Sequence, residues 1–199
     1  MVLRVYFGLA DIALAVEQAL SGRDVPVILD PVMIAKGGAA LLQPDAIAVL
    51  RDALLPIAAV LTPNLPEAAH LLGVEPAQNR ADMETQGHAL CALGPKAVLM
   101  KGGHLDGKDS PDCLVTPDAI TWFEAPRTPT RNTHGTGCTL SSALAAQVTQ
   151  SDDIQTAVGV AKSYVADAIA QADVLSVGTG HGPTHHFANL YPSRKEQLS

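Results

Sequence analysis

The run Thr133-His134-Gly135-Thr136-Gly137-Cys138-Thr139-Leu140-Ser141 brings glycines, hydroxyls and a thiol to the entry of an apolar-periodic segment. Glycines let the backbone approach a ligand closely, and the N–H groups of a first helical turn point outward at the positive end of the helix dipole. Such a loop is a cradle for an anion, and phosphate oxygens fit it. Cys138 falls in that first turn, where the helix field favours a thiolate, the form that can act as a base. The competing reading is a glycine-rich helix entry with an inert buried cysteine, since Gly-Thr-Gly is a common string. The sequence contains no Gly-x-x-x-x-Gly-Lys-Ser/Thr, and no Gly-x-Gly-x-x-Gly follows a strand-like run, so any phosphate chemistry must use this cradle. Gly178-Thr179-Gly180-His181-Gly182-Pro183 matches a dinucleotide fingerprint only superficially. Pro183 and the histidine pair after it do not open a helix with the third glycine in place, so the segment reads as a tail loop.

A second group of polar residues closes apolar runs. Asp30 ends Val25–Asp30, Asn64 and Glu67 follow Ala58–Leu61 across Thr62-Pro63, and Lys101 ends Lys96–Lys101 just before Gly102-Gly103. All lie at or just beyond the carboxyl ends of expected strands, the edge at which open α/β sheets bind ligands. Taken singly, each reads equally as a solvated loop charge, and Glu67 as a first-turn acid favoured by the helix dipole. Lys162, in Val160-Ala161-Lys162-Ser163, reads equally as an ordinary surface lysine. His134, His181, His185 and His186 invite a metal reading, but Gly182-Pro183 prevents the helical i, i+4 geometry of a zinc pair, and a catalytic zinc site needs three protein ligands.

The elements that must position these groups alternate. A strand ending at Asp30, a loop through Gly37 and Gly38, and a helix from Leu41 to Leu55 stopped by Pro56 are followed by strands over 58–61 and 96–101. Two helices lie between those strands, Pro66 to Leu72 and about Ala81 to Leu93, as a parallel sheet requires. Asp112–Val115 and Ala119–Glu124 around Thr116-Pro117-Asp118 predict an antiparallel hairpin toward one sheet edge. Apolar recurrence at steps of three and four predicts two closing helices, Thr136 to Val148 and Asp153 to Gln171.

Composition narrows the class. Of 199 residues, 47% are hydrophobic but only 4% aromatic, so Ala, Val, Leu and Ile build the core, which suits buried parallel strands and helices rather than a β-sandwich. A net charge of -7 without a Lys/Arg cluster argues against nucleic acid and against an anionic membrane surface, leaving a small molecule as the expected partner. The apolar stretches are broken before membrane-helix length, and the start lacks a secretory h-region. Three widely spaced cysteines, Cys91, Cys113 and Cys138, suit neither a disulfide framework nor structural zinc, and a reducing cytoplasm is expected. No linker or repeat divides the chain, so one domain over 1–199 is expected.

Taken together, Gly135-Thr136-Gly137-Cys138, Leu29-Asp30-Pro31-Val32-Met33, Leu61-Thr62-Pro63-Asn64-Leu65-Pro66-Glu67-Ala68 and Lys101-Gly102-Gly103-His104 resemble the hydroxymethylpyrimidine/phosphomethylpyrimidine kinases of thiamine biosynthesis, in the ribokinase-like superfamily that includes pyridoxal kinases. The resemblance runs from about Ala10 to about His186 with its motifs in order. It implies a three-layer α/β/α sandwich with a mostly parallel sheet and an antiparallel edge hairpin. It implies ATP and Mg2+, with Asp30 and Glu67 serving the metal, and Asp30, Asn64, Lys101 and Thr136 serving the nucleotide. In relatives a lysine placed like Lys162 contacts the adenine region. Gly135, Thr136 and Gly137 would form the anion hole, Lys101 would place a point charge by the moving phosphate, and Cys138 would be the base. Cysteine where pyridoxal and sugar kinases usually carry aspartate favours the pyrimidine branch over a pyridoxal kinase-like enzyme.

The family pattern begins with a glycine-rich segment bearing early strands and much of the pyrimidine pocket, which is not matched here. This chain enters the pattern near Gly8-Leu9-Ala10-Asp11, after an unaligned Met1–Phe7. It therefore reads as an N-terminally truncated domain. A sheet missing strands exposes apolar faces and backbone groups that a second chain would cover, so a homo-oligomer is among the expectations. Two functional expectations follow: a kinase for hydroxymethylpyrimidine and its monophosphate, and a non-catalytic remnant that at most binds nucleotide. With the acceptor half of the site unmatched, the chain as given is expected to bind Mg-ATP weakly at most and to show little hydroxymethylpyrimidine phosphorylation.

Overall fold

The computed structural model describes residues 2–4, 10–33 and 44–190, and the chain divides into two compact units, Met1–Glu124 and Ala125–Ser199. The first unit holds the sheet. Its strands are β1 (Val2–Arg4), β2 (Ile28–Asp30), β3 (Val60–Leu61), β4 (Val98–Lys101), β5 (Asp112–Val115) and β6 (Ile120–Phe123), in the spatial order β1-β2-β3-β4-β5-β6. β1 to β4 are parallel, and β5 and β6 add on antiparallel to one another, with β5 antiparallel to β4. The expected mostly parallel sheet with an edge hairpin is thus the observed one.

Four helices connect the parallel strands: α1 (Ala10–Leu20), α2 (Pro44–Val49), α3 (Leu65–Leu72) and α4 (Arg80–Cys91). Each parallel strand is reached by a step in the same direction, and right-handed crossovers then place all four helices on one face. The packing agrees. Ala13 and Leu20 of α1, Ala46 of α2, Leu65, Ala68 and Leu71 of α3, and Met83 and Leu90 of α4 share one core cluster with Leu29, Leu61, Val98, Met100, Cys113 and Val115 of the sheet. Because side chains alternate along a strand, the neighbouring residues Ile28, Val60, Leu99 and Leu114 point to the opposite face, where they too are buried. Burial on both faces is the condition of a parallel sheet and explains its Val/Ile/Leu usage.

Several expectations shift at the edges. The strands are shorter than the apolar runs, because pairing covers only Ile28–Asp30, Val60–Leu61 and Val98–Lys101. The helix expected from Leu41 is described from Pro44. It passes through a π-helical turn, Leu50–Leu54, and a 3-10 turn, Leu55–Ile57, so Pro56 sits inside the last turn rather than after it. The loop through Gly37 and Gly38 lies outside the described residues. β1 and α1 were not anticipated.

The second unit contains α5 (Thr136–Gln147) and α6 (Ile154–Ala170), close to the expected spans, then a 3-10 turn, Ala172–Val174, and an irregular tail. Leu140 and Leu144 of α5 and Ala157, Val158, Ala161, Val165 and Ala168 of α6 are buried at the periodicity the sequence shows. Asp153 caps α6 by accepting the Thr156 amide at 2.7 Å. Among the described residues no helix is long and apolar enough to cross a membrane.

Candidate active site

In the first unit, the face of the sheet opposite α1–α4 turns polar at its carboxyl edge. Asp30, one residue beyond Leu29, and Thr62, one beyond Leu61, follow the alternation onto that face, and Lys101 and its cross-strand partner Asp112 join them. Thr62 Oγ1 donates to Asp30 Oδ1 at 3.2 Å, and Lys101 Nζ donates to the same oxygen at 3.1 Å. Glu67 Oε2 lies 3.9 Å from Lys101 Nζ. Asp30, Thr62, Glu67 and Asp112 are all buried, and the Lys101 side chain is 14% exposed.

Glu67 is held there by its helix start. Asn64 is the N-cap of α3, its Oδ1 accepting the Glu67 amide at 2.8 Å, while Glu67 Oε2 accepts the Asn64 amide at 2.7 Å. This reciprocal pair is a capping box, each half satisfying an N–H that the helix cannot. The same carboxylate thus stabilises the helix and faces the ammonium. Both sequence readings of Glu67, first-turn acid and strand-end carboxylate, describe it.

The electrostatics follow from burial against charge. Burial pushes the Glu67 carboxyl above the ordinary glutamate value; Lys101 and the Asn64 amide oppose the rise, and Asp30 adds to it. For Lys101, burial acts downward but Asp30, Glu67 and Asp112 outweigh it, and the ammonium titrates above its ordinary value. Lys101 is therefore a permanent cation, set among three carboxylates. Asp112 was missed by sequence reading. It accepts the Gly102 amide at 2.9 Å and fixes the turn just after Lys101, where any Cβ on Gly102 would overlap the Pro111 carbonyl.

In the second unit, Gly135 is the N-cap of α5 at φ 82°, a left-handed conformation that an L side chain resists. Its side-chain-free cap leaves the first-turn amides of Thr136, Gly137 and Cys138 without a hydrogen-bond acceptor among the described residues. Thr136 Oγ1 bonds the Thr133 carbonyl at 2.7 Å and Thr139 Oγ1 the Gly135 carbonyl at 2.8 Å, which tightens the loop from both sides. Gly135 through Cys138 are half-buried rather than sealed. Cys138 is half-buried, where the competing reading expected a buried cysteine. Cys113 is the buried one, its thiol pushed up to about 12 by burial first and by Glu84. Lys162 corrects another reading: it is buried in α6, not an ordinary surface lysine.

The donor set suits a hard cation. Asp30 and Glu67 offer carboxylate oxygens around one ammonium, and among the described residues no group of three or more His, Cys, Asp or Glu is placed to hold a metal by itself. Mg2+ is the ion that accepts few carboxylates, completing its shell with water and phosphate oxygens.

A family model described as phosphomethylpyrimidine kinase matches residues 7–185. The hydroxymethylpyrimidine/phosphomethylpyrimidine kinase of Escherichia coli is 52% identical over 178 residues, which is 89% of this chain and 67% of that protein. Among solved structures, a phosphomethylpyrimidine kinase from Clostridium difficile superposes with a TM-score of 0.72 at 36% identity, covering 84% of this chain and 68% of that one. A pyridoxal kinase from Bacillus subtilis, solved as an ADP complex, gives a TM-score of 0.83 at 31% identity over 92% of this chain and 68% of its own. The chain spans about two thirds of the length of these relatives.

Proposed function

The chain belongs to the phosphomethylpyrimidine kinase family, and from that premise we propose that it transfers the γ-phosphoryl group of ATP to 4-amino-5-hydroxymethyl-2-methylpyrimidine and then to its monophosphate, in thiamine diphosphate biosynthesis. The observation that supports this most is the Lys101 cluster. Three carboxylates, Asp30, Glu67 and Asp112, around one permanent ammonium leave an excess of negative charge at the carboxyl edge of the sheet. A bare triphosphate would be repelled there, and a triphosphate carrying Mg2+ is attracted. Bound Mg2+ would neutralise charge on the phosphate oxygens.

The residues of this chain supply the rest. Asp30 and Glu67 would hold the metal's inner or hydrated shell, and Asn64, besides capping α3, would face the nucleotide. Lys101 stays charged across the physiological range and would pair with a phosphate oxygen. The first-turn amides of Thr136, Gly137 and Cys138 would stabilise charge spreading over the moving phosphoryl oxygens. Cys138 Sγ, as thiolate, would take the proton from the substrate CH2OH as its oxygen bonds to phosphorus and the bond to ADP breaks. Lys162 would act through its stem near the adenine. We read the two compact units as one functional kinase domain, since the family match runs through both. ATP as co-substrate and three free thiols fit a reducing cytoplasm.

A pyridoxal kinase-like activity is less supported, since the pyrimidine kinases compared are the more identical proteins, at 52% and 36% against 31%. The test is to titrate Mg-ATP by calorimetry and to follow both phosphorylation steps by product mass. Substitution of Cys138 by Ala is expected to lower kcat by about a hundredfold or more while Mg-ATP binding persists. Binding without transfer in the parent chain would assign nucleotide binding alone, and absence of both would overturn the proposal.

A further inference from the structure

The loop that leads into Gly135 is not self-supporting. Between Glu124 and α5 the chain has no regular element, and besides local turns the segment 130–134 is tied by hydrogen bonds to residues 172–182, about forty to fifty positions further along. Asn132 is at the centre. Its Oδ1 accepts the Gly182 amide at 3.0 Å, and its Nδ2 donates to Asp173 Oδ1 at 2.9 Å and reaches the Ala172 carbonyl at 3.5 Å. Its own amide donates to Thr130 Oγ1 at 3.1 Å, and Thr130 Oγ1 in turn donates to Asp173 Oδ1. Beside it the His134 amide donates to the Gly182 carbonyl at 3.1 Å, pairing His134 with Pro183 as an isolated parallel bridge, and His181 Nδ1 lies 3.1 Å from the Arg131 carbonyl.

Gly182 is required by this arrangement. A Cβ there would fall 2.8 Å from Asn132 Cγ and closer still to its oxygen, so only glycine lets the tail backbone reach the amide. Asn132 is likewise specific. It needs one acceptor atom for a backbone N–H and one donor atom for a carboxylate, and only a side-chain amide has both at that spacing. The carbonyl of Thr133, the next residue, then receives Thr136 Oγ1, so the position of Asn132 is passed directly to the cap of α5.

We propose that Asn132 is a positioning residue, clipping the glycine loop to the tail segment Ala172–Pro183 through Asp173 and Gly182 and so setting where the amides of Thr136, Gly137 and Cys138 point. The sequence shows Gly178–Pro183 only as a tail loop; in the structure it is the other half of the anion loop's support. The consequence for catalysis rests on the reading of that loop as the stabiliser of the moving phosphoryl group. The clip itself does not.

The test exploits the polarity of the pair. Asn132→Asp keeps an oxygen for the Gly182 amide but sets a carboxylate against Asp173. Adding Asp173→Asn restores one donor and one acceptor with their places exchanged. In the full chain, N132D is expected to speed hydrogen exchange of the His134, Thr139 and Gly182 amides by about tenfold or more, and N132D/D173N to return it to within about threefold of the parent. In the same proteins kcat should fall about tenfold in N132D, with the KM for Mg-ATP changed less than about twofold, and recover in the double variant, because an interaction felt in the transition state moves kcat. Gly182→Ala, which opposes the clip from the other side, should reproduce the N132D exchange pattern without altering any charge. Unchanged exchange in N132D, or a double variant no better than the single, would overturn the proposal. A parent chain without phosphotransfer would remove the catalytic reading, while the exchange data would still decide the clip.

Discussion

Replacing Lys101 by Met tests the electrostatic account of the sheet edge most directly. Methionine keeps the length of the stem but strands Asp30 and Glu67, both buried, without their shared cation. Breaking a buried ion pair from one side costs about 3–5 kcal/mol, because the remaining charge loses its partner and not its burial. With 14% of the Lys101 side chain exposed, water can relieve part of the cost, and the expected loss is at the low end, about 3 kcal/mol. A domain stable by about 5–15 kcal/mol survives that. Urea unfolding followed by the fluorescence of the single tryptophan, Trp122, reports on the first unit. The pH dependence carries the sign. Glu67 already titrates above its ordinary 4.5, so the folded state binds more protons than the unfolded one just above that pH, and its contribution to stability falls as pH rises through the folded value. Removing Lys101 takes away the main influence that lowers the Glu67 value, so the window widens upward. The difference between parent and variant should therefore be larger at about pH 8 than at about pH 5. Adding Asp30→Asn should return roughly half of the lost stability by deleting one stranded charge. A variant as stable as the parent, or a difference flat across that range, would refute the reasoning.

Other consequences follow from the same contacts. With iodoacetamide at about pH 8, half-exposed Cys138 should be alkylated while Cys113, buried and pushed up to about 12, stays unmodified, as peptide mapping by mass spectrometry will show. Glu67→Gln should flatten the stability profile just above pH 4.5, since the group whose protonation stabilises the fold there is gone. It should also weaken Mg-ATP binding measured by calorimetry. Gly102→Ala forces a Cβ onto the Pro111 carbonyl and should cost about 1–3 kcal/mol in urea unfolding, with Gly103→Ala, whose nearest contact would be Ser110 Oγ at 3.6 Å, much milder.

What was legible in the sequence was what is decided locally. Asp30 before Pro31 marked the end of a strand, Glu67 read as a first-turn acid, and the glycines before Cys138 marked a helix entry; each is determined within a few residues. The helix α1 was missed because its apolar residues do not form one stripe: Ile12 and Leu14 are exposed while Ala13 and Leu20 are buried, which blurs the periodicity. Asp112, Lys162, Asn132 and Gly182 were illegible for another reason. Lys162 looks like any helix-surface lysine, and its burial is a property of packing. Asp112 meets Lys101 through the register of an antiparallel pair, and Asn132 meets Gly182 across fifty residues. Neither contact leaves a mark in the local string.

The two faces of the sheet explain how so few positions build the polar edge. Along β2, β3 and β4, Leu29, Leu61 and Met100 face the helical core, and their immediate successors Asp30, Thr62 and Lys101 face away from it. A slip of one residue in any of these strands would send a carboxylate, a hydroxyl or an ammonium into the apolar layer and a leucine or methionine onto the polar side. Register is therefore fixed by the core, at a free-energy cost for error of several kcal/mol for a buried unpaired charge. The chemistry at the strand ends inherits that precision without encoding it: the apolar alternation that folds the first unit is the same alternation that brings Asp30 Oδ1 within 3.1 Å of Lys101 Nζ, from positions 71 residues apart.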